Sequence, residues 1–250
     1  MGSIVAQDPV TGRKFMLDDP DDLKPGEKVV FILNLHGGGS HGTWQKPYFP
    51  AHDYKEKYRL VIAAPSAATK EPSRRWVGEA DDEHLKGIVE YVFDKYGKQN
   101  IRAFWLAGHS QGGATSHRLL RTDYFGARVD GFLSLSGGRI GAAPRSANAG
   151  VPIKPGAERP QMPRPAADSS PYKGEFSHIF AVGEHEIASL PETSPWADKF
   201  AAGPRQRMPD IVDTEPGQIF DTMRDGYSTK EWGLKPAPGT AQMWVYPGAR

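Results

Sequence analysis

Residues 101–112 constrain the fold more than any other stretch. Ile101–Ala107 is a short, nearly continuous apolar run. It stops at Gly108-His109-Ser110-Gln111-Gly112, and a helical pattern opens near Gln111. A strand, a sharp turn centred on a serine and a helix are the context in which Gly-x-Ser-x-Gly carries chemistry. The serine must take an unfavourable backbone conformation, and small neighbours at Gly108 and Gly112 let the turn close. The turn lifts the Ser110 hydroxyl above the end of a sheet. The helix dipole there favours developing negative charge, and the Gln111 N–H is aimed at a reacting carbonyl oxygen. The bland alternative is a glycine-bounded turn without chemistry, which the strand before it and the helix after it argue against.

The rest of the chain repeats this alternation. Val29–Leu35, Leu60–Ala64, Phe132–Ser136, Ile179–Val182 and Met243–Tyr246 read as further strands, the first two as strands buried on both faces. Leu85, Ile88, Val89, Val92, Phe93 and Tyr96 recur at helical spacing, so Asp81–Tyr96 is predicted helical, with acids in its first turn and Gly97 at its end. A second helix is predicted from Gln111 to before Gly126. A third would begin at Pro216, bury Ile219, Phe220 and Met223, and stop at Gly226. This pattern implies an α/β fold, a mostly parallel central sheet with helices on both faces, in one domain spanning 1–250. Arg139–Phe176 carries seven prolines and reads as a long Pro-rich, lid-like loop insertion. Leu190–Pro216 is similar but holds Trp196 and Phe200, which suit packing. There is no internal repeat.

His36-Gly37-Gly38-Gly39 follows the first buried strand. An oxyanion hole needs a second backbone N–H from a loop that can approach the substrate closely, and glycines permit that approach. Gly38 is the first choice of donor and Gly39 the second, while His36 fits a role holding the loop by hydrogen bonds. Gly37-Gly38-Gly39-Ser40-His41-Gly42 also spells the dinucleotide-binding pattern G-x-G-x-x-G. That reading requires a helix opening on the third glycine and an acid ending the next strand. Here Pro47 and Pro50 intervene, and the next strand ends Ala63-Ala64-Pro65-Ser66.

Composition removes other classes. Lys and Arg total 31 against 30 Asp and Glu, a balance unsuited to coating nucleic acid or an anionic membrane. The absence of cysteine excludes disulfides, thiolate metal sites and a cysteine nucleophile. No apolar run approaches the roughly 20 residues of a membrane span. Met-Gly-Ser-Ile-Val-Ala lacks the charged head and apolar stretch of a secretory leader, which fits a cytoplasmic protein or an exported one already processed. His41, His52 and His84 lack metal-ligand spacing, so no metal and no cofactor is expected. Asp18-Asp19-Pro20-Asp21-Asp22 reads as a solvated turn with at most weak cation affinity.

The succession His36-Gly37-Gly38-Gly39, Arg75-Trp76, the Asp81–Tyr96 helix and Gly108-His109-Ser110-Gln111-Gly112 resembles the α/β-hydrolase superfamily. Within it, the chain is similar to feruloyl esterases and polyhydroxybutyrate-depolymerase-like carboxylic ester hydrolases. The resemblance covers about residues 28–138 well and the remainder loosely. Many secreted members carry disulfides, which this chain lacks.

The resemblance implies a chain order of nucleophile, acid and histidine. Ser110 is then the nucleophile. Past Ile179–Val182 comes Gly183-Glu184-His185-Glu186, and the resemblance puts the acid at Glu186, with Glu184 competing. Two solvated loop acids are the plain alternative. It also implies a histidine after one more strand. Met243–Tyr246 fits that strand, so the base and a closing helix are expected beyond Arg250, with His185 as the fallback. His117 lies two turns along the Ser110 helix, and His178 begins its strand at the wrong edge. Substrate-binding roles fall to Trp76, His109 and Gly39. Trp44, Tyr48 and Phe49 either line an acyl pocket or pack. The expected activity is hydrolysis of a bulky or aromatic ester, or of a polyester segment. A catalytically silent acyl- or carbohydrate-binding member, and a serine peptidase or acyltransferase on the same fold, are the alternatives.

Overall fold

Strand by strand, the apolar runs place two layers of side chains on opposite faces of one sheet. The computed structural model describes residues 3–70, 73–140, 172, 174–183, 190–212 and 240–247. Among them the order is β1 (Ile4–Gln7), β2 (Lys14–Asp18), β3 (Val29–Leu35), α1 (Gly42–Tyr48), α2 (Lys55–Tyr58), β4 (Leu60–Pro65), α3 (Gly78–Tyr96) and β5 (Ile101–His109). Then follow α4 (Gln111–Leu119), α5 (Asp123–Gly126), β6 (Gly131–Leu135), β7 (Ser177–Gly183), α6 (Pro195–Lys199), β8 (Gln206–Val212) and β9 (Thr240–Val245). The nine strands form one sheet in the order β1-β2-β4-β3-β5-β6-β7-β9-β8. The five central strands, β4 to β7 across the sheet, are mutually parallel. The two strands added at each side run antiparallel to their neighbours.

Alternation along β3 explains the layering. Val29, Phe31, Leu33 and Leu35 are fully buried on one face. There they meet α3, whose Leu85, Ile88, Val89 and Val92 are also fully buried, and Phe31 stacks on Phe104 at 4.7 Å. Burying side chains of this size contributes roughly 1.5–3 kcal/mol each. On the other face Val30 and Ile32 join Phe49, Ala51, Leu60 and Ile62 beneath the α1–α2 segment. Helices therefore cover both faces, as the periodicity implies. α3 stops at Gly97, whose φ of 82° few other residues adopt. The helix predicted from Gln111 towards Gly126 is two pieces: Thr122 turns its hydroxyl to the Phe125 N–H and caps α5 as a new start.

Three strands lie outside the sequence expectation: β1, β2 and β8. β8 falls within the stretch read as irregular. Met243–Tyr246 does contribute a strand, but its direction corrects the expectation. β9 is antiparallel to β7, with Val245 opposite Ile179 and Ala241 opposite Gly183. It therefore delivers Tyr246, whose hydroxyl donates to the Pro191 carbonyl at 2.8 Å, to the edge away from Ser110. A period-two pattern fixes which face a residue takes and carries no information on strand direction. The lid-like loop, apart from the few residues described at its ends, and the helix expected over 216–226 lie outside the described residues.

Candidate active site

β3 is flanked by β4 on one side and β5 on the other, so the chain order reverses there, and the crevice beyond the carboxyl ends of such strands is where open α/β sheets bind ligands. Leu35 pairs with Gly108 in the parallel β3–β5 register. The turns that follow them, Gly37–Gly39 and His109–Gln111, consequently leave the same edge side by side.

Ser110 sits at φ 48°, ψ −112°, a conformation that costs an L-residue about 1–3 kcal/mol. Its neighbours enforce that conformation. Ser110 N–H donates to the Leu135 carbonyl at 2.8 Å, and its own carbonyl accepts from Ala114 N–H at 3.0 Å. A side chain at Gly108 would overlap the backbone of Gly112, and one at Gly112 would overlap the Leu35 carbonyl oxygen. With both glycines buried, Ser110 itself is exposed.

The triglycine turn is equally determined. His36 is fully buried. Its Nε2 accepts from the Ala67 N–H at 3.0 Å, so the ring proton resides on Nδ1, which donates to the Gly37 carbonyl at 2.7 Å. Burial pushes the imidazole down to about 4, so it is neutral at neutral pH and holds the loop, as its sequence position suggests. Ser40 N–H donates to the same Gly37 carbonyl at 3.2 Å. Gly39 N–H donates to the Arg74 carbonyl at 2.7 Å, which withdraws Gly39 as a second oxyanion donor. Gly38 is exposed between these fixed points, and its N–H has no partner among the described residues. A Cβ built on Gly38 would stand 3.5 Å from Gln111 Oε1, so the two candidate donors are neighbours. The Gln111 N–H is likewise unpartnered among the described residues.

Trp76 departs from its expected place as a pocket wall. It is 6 % exposed and structural: its Nε1–H donates to the His36 carbonyl at 2.8 Å, its ring lies 4.7 Å from the His36 ring, and its backbone N–H donates to Gln111 Oε1 at 3.2 Å. Behind it, Asp81 on α3 accepts from Ala68 N–H at 2.9 Å and Val77 N–H at 2.8 Å, and pairs with Arg13 at 2.9 Å. Arg13 also donates to the Ser66 carbonyl at 2.6 Å. The sequence marked Asp81 only as a first-turn acid; its partners, up to 68 residues away, are invisible to local pattern.

The His109 ring lies against Tyr48, tilted by 39° with centroids 4.1 Å apart, and its Nδ1 would lie 2.7 Å from a Cβ on Gly37. Tyr48 and the exposed Trp44 are four residues apart on one face of α1. That helix is seated by Gln45, which donates to Asn34 at 2.8 Å, and by Gly42, which donates to Ser66 Oγ at 2.9 Å.

Among the described residues no histidine is hydrogen-bonded to Ser110. His117 is buried against the Tyr172 hydroxyl, and His178 meets the Phe132 carbonyl at 3.2 Å. His84 is buried with Asp8 at 2.7 Å. Glu184, His185 and Glu186 lie outside the described residues. No metal-binding group of three His, Asp or Glu occurs among the described residues. The acidic run is a neutralised corner: Asp18 pairs with Lys46, Asp19 with Lys95, Asp21 with Lys55 and Asp22 with Arg59, at 2.6–3.6 Å. Among the described residues no helix is long and apolar enough to cross a membrane.

No family model matches the sequence, and no curated protein matches it. Solved structures similar to it include the fluorophosphonate-binding serine hydrolase FphF of Staphylococcus aureus, at 18 % identity and a TM-score of 0.42, covering 54 % of this chain and 56 % of that one. Acetyl xylan esterase from Aspergillus awamori aligns at 15 % identity and a TM-score of 0.45, over 54 % and 51 % of the two chains. Esterase 2 of Thermogutta terrifontis aligns at 16 % and 0.43, over 56 % and 57 %. The matched part thus spans about half the length of each. In strand order, parallel core and serine-bearing turn, the architecture here is an α/β-hydrolase fold.

Proposed function

We propose that this chain is a serine-dependent carboxylic ester hydrolase working through an acyl-enzyme. One observation carries the reading: an exposed serine held at φ 48° where β5 meets α4, beside the N–H groups of Gly38 and Gln111, which have no partner among the described residues. Ser110 Oγ, losing its proton to a histidine, attacks the ester carbonyl. The Gly38 and Gln111 amides hold the resulting oxyanion, each donor contributing roughly 3–4 kcal/mol in comparable sites. The C–O bond to the alcohol breaks and the alcohol takes the proton from the histidine. Water then attacks the acyl-enzyme by the same route and releases the acid.

Glu186 is the proposed orienting acid, with Glu184 the alternative. β7 ends at Gly183 on the Ser110 edge, two strands or about 10 Å across the sheet from β5. His185, which follows β7 in the sequence, is the proposed base. The Trp44–Tyr48 face of α1 beside His109 supports a bulky or aromatic acyl or alcohol group.

The test is hydrolysis of a chromogenic acetyl ester and a chromogenic hydroxycinnamoyl ester by wild type, Ser110→Ala and His185→Ala. The reading expects loss of turnover in Ser110→Ala and a faster hydroxycinnamoyl reaction. Equal rates in wild type and Ser110→Ala refute it. Retained turnover in His185→Ala assigns the base elsewhere. A silent ligand-binding member is the second reading, favoured by the lack of any histidine bonded to Ser110 among the described residues. Such a protein leaves a fluorophosphonate probe unreacted.

A further inference from the structure

Three segments meet at the candidate oxyanion site, and a single residue bonds to two of them. Residues 36–39 leave β3, residues 110–112 leave β5, and 74–76 arrive from the β4–α3 connection. Arg74 O takes the Gly39 N–H, and Trp76 Nε1–H reaches the His36 carbonyl. The 74–76 segment therefore grips the triglycine turn on both sides of Gly38. The next contact runs to the other turn: Trp76 N–H donates to Gln111 Oε1, and a Cβ built on Gly38 would stand 3.5 Å from that same oxygen.

We propose that Trp76 is a positioning residue for ester hydrolysis, acting through the Gln111 side chain to fix the spacing of the two oxyanion amides. The proposal rests on the hydrolase reading above. The physical argument is preorganisation. Two donors stabilise a developing oxyanion fully only when both are in place before the charge appears. Gly38 belongs to a turn with no side chain of its own to hold it, and glycine gives the backbone more freedom than any other residue. Its fixity comes from the engaged groups on either side. The Gln111 amide opens α4 and is anchored by the helix, so the free variable is the distance between the turns. Trp76 sets that distance with two hydrogen bonds of fixed direction on one buried, rigid side chain and its own backbone. Asp81 fixes Trp76 in turn by accepting from the adjacent Val77 N–H. Trp76 contacts no reacting atom in this scheme.

The experiment uses Trp76→Phe, which keeps a buried ring and removes the N–H, and Gln111→Met, which keeps length and the backbone amide and removes the acceptor. Turnover of a chromogenic acetyl ester is expressed per site labelled by a fluorophosphonate probe, which discounts misfolded protein. Affinity for phenylboronic acid is measured in parallel, since it adds to a serine hydroxyl as a tetrahedral anion. The expected result is a 10- to 100-fold fall in kcat per labelled site, KM within twofold, and a boronate inhibition constant raised by a matching factor. The double variant should be no more than about threefold worse than the poorer single one, because both release the same strut. If Trp76→Phe does not fold, Gln111→Met carries the test alone. A kcat per labelled site within twofold of wild type, or a change confined to KM, overturns the proposal. Failure of the hydrolase reading looks different: wild type and Ser110→Ala would turn over alike, and neither variant's comparison would arise.

Discussion

The backbone of Gly112 lies directly against the carbonyl of Leu35: a side chain on Gly112 would overlap that oxygen and come within 2.7 Å of the His36 carbonyl oxygen. This contact sets how closely the serine turn and the triglycine turn approach. Gly112→Ala should therefore push the two turns apart. Because the obstacle is backbone on a buried strand end, the expected loss of stability is about 1–3 kcal/mol. Turnover of a chromogenic ester should fall at least 100-fold, more than the stability change explains. Thermal denaturation and steady-state kinetics on the same sample check both halves.

The strain at Ser110 separates function from stability. Its φ of 48° and ψ of −112° mirror an extended conformation, which glycine adopts without strain. Ser110→Gly should raise stability by about 1 kcal/mol, net of the entropy glycine adds to the unfolded chain. Ser110→Ala should not. Both abolish turnover. Matched urea titrations distinguish them, and a Ser110→Gly midpoint below that of Ser110→Ala would contradict the argument.

Asp81 ties the β1–β2 turn to the segment bearing Trp76. It is buried and satisfies two amides and Arg13. Asp81→Ala leaves the Ala68 and Val77 amides without a partner and takes the carboxylate from Arg13, which keeps the Ser66 carbonyl, an expected loss of about 3 kcal/mol. Asp81→Asn retains an acceptor for one amide and should lose less. Equal stability of the two variants, read by chemical denaturation, would remove Asp81 from this role.

Four buried histidines, His36, His84, His117 and His178, give the fold a defined pH response, burial lowering the pKa of each. Burial pushes His36 and His117 down to about 4 and His178 down to about 3, while the unfolded side chains titrate near 6.5. Below pH 6.5 the unfolded chain binds protons that the folded chain refuses. The stabilisation is complete above 6.5, declines as pH falls, and is gone near pH 3–4. At pH 5.5 each of His36, His117 and His178 has lost on the order of 1 kcal/mol of this stabilisation, a few kcal/mol together. Denaturant midpoints at pH 7.5 and 5.5 measure it, and a flat profile between them would be incompatible with neutral buried imidazoles.

The sequence made the centre of this fold legible and left its margins obscure. Val29–Leu35 matches β3 at both ends because a strand covered on two faces has nowhere to place a polar residue before Asn34. The serine turn was legible because its glycines answer to backbone collisions that any sequence with this turn must avoid. β1 and β2 were missed because they are only four and five residues long, with three consecutive apolar residues in each, too few to mark a period. β8 contains Pro209, which reads as a breaker. In the structure that proline sits where the β8–β9 register slips between Met208 and Ile211, a place an edge strand allows. The role of Trp76 was out of reach because its partners lie 40 and 35 residues away. Aromatic character alone suggested a pocket wall.

Ser110 hangs by its amide from Leu135, a residue of the adjoining strand, and Ser136 hangs from Ala181 in the same manner. Successive tips of the sheet are thus moored sideways, each to its neighbour. The height of the serine above the sheet is consequently inherited from β6, which touches no ligand in the proposed scheme. A programme that leaves every reacting group untouched would still have a handle on it at Gly131, where β6 begins and where any side chain would collide with the Trp105 indole. Sliding that strand along its axis would carry the Leu135 carbonyl with it and so raise or lower the hydroxyl without changing the chemistry of any reacting group.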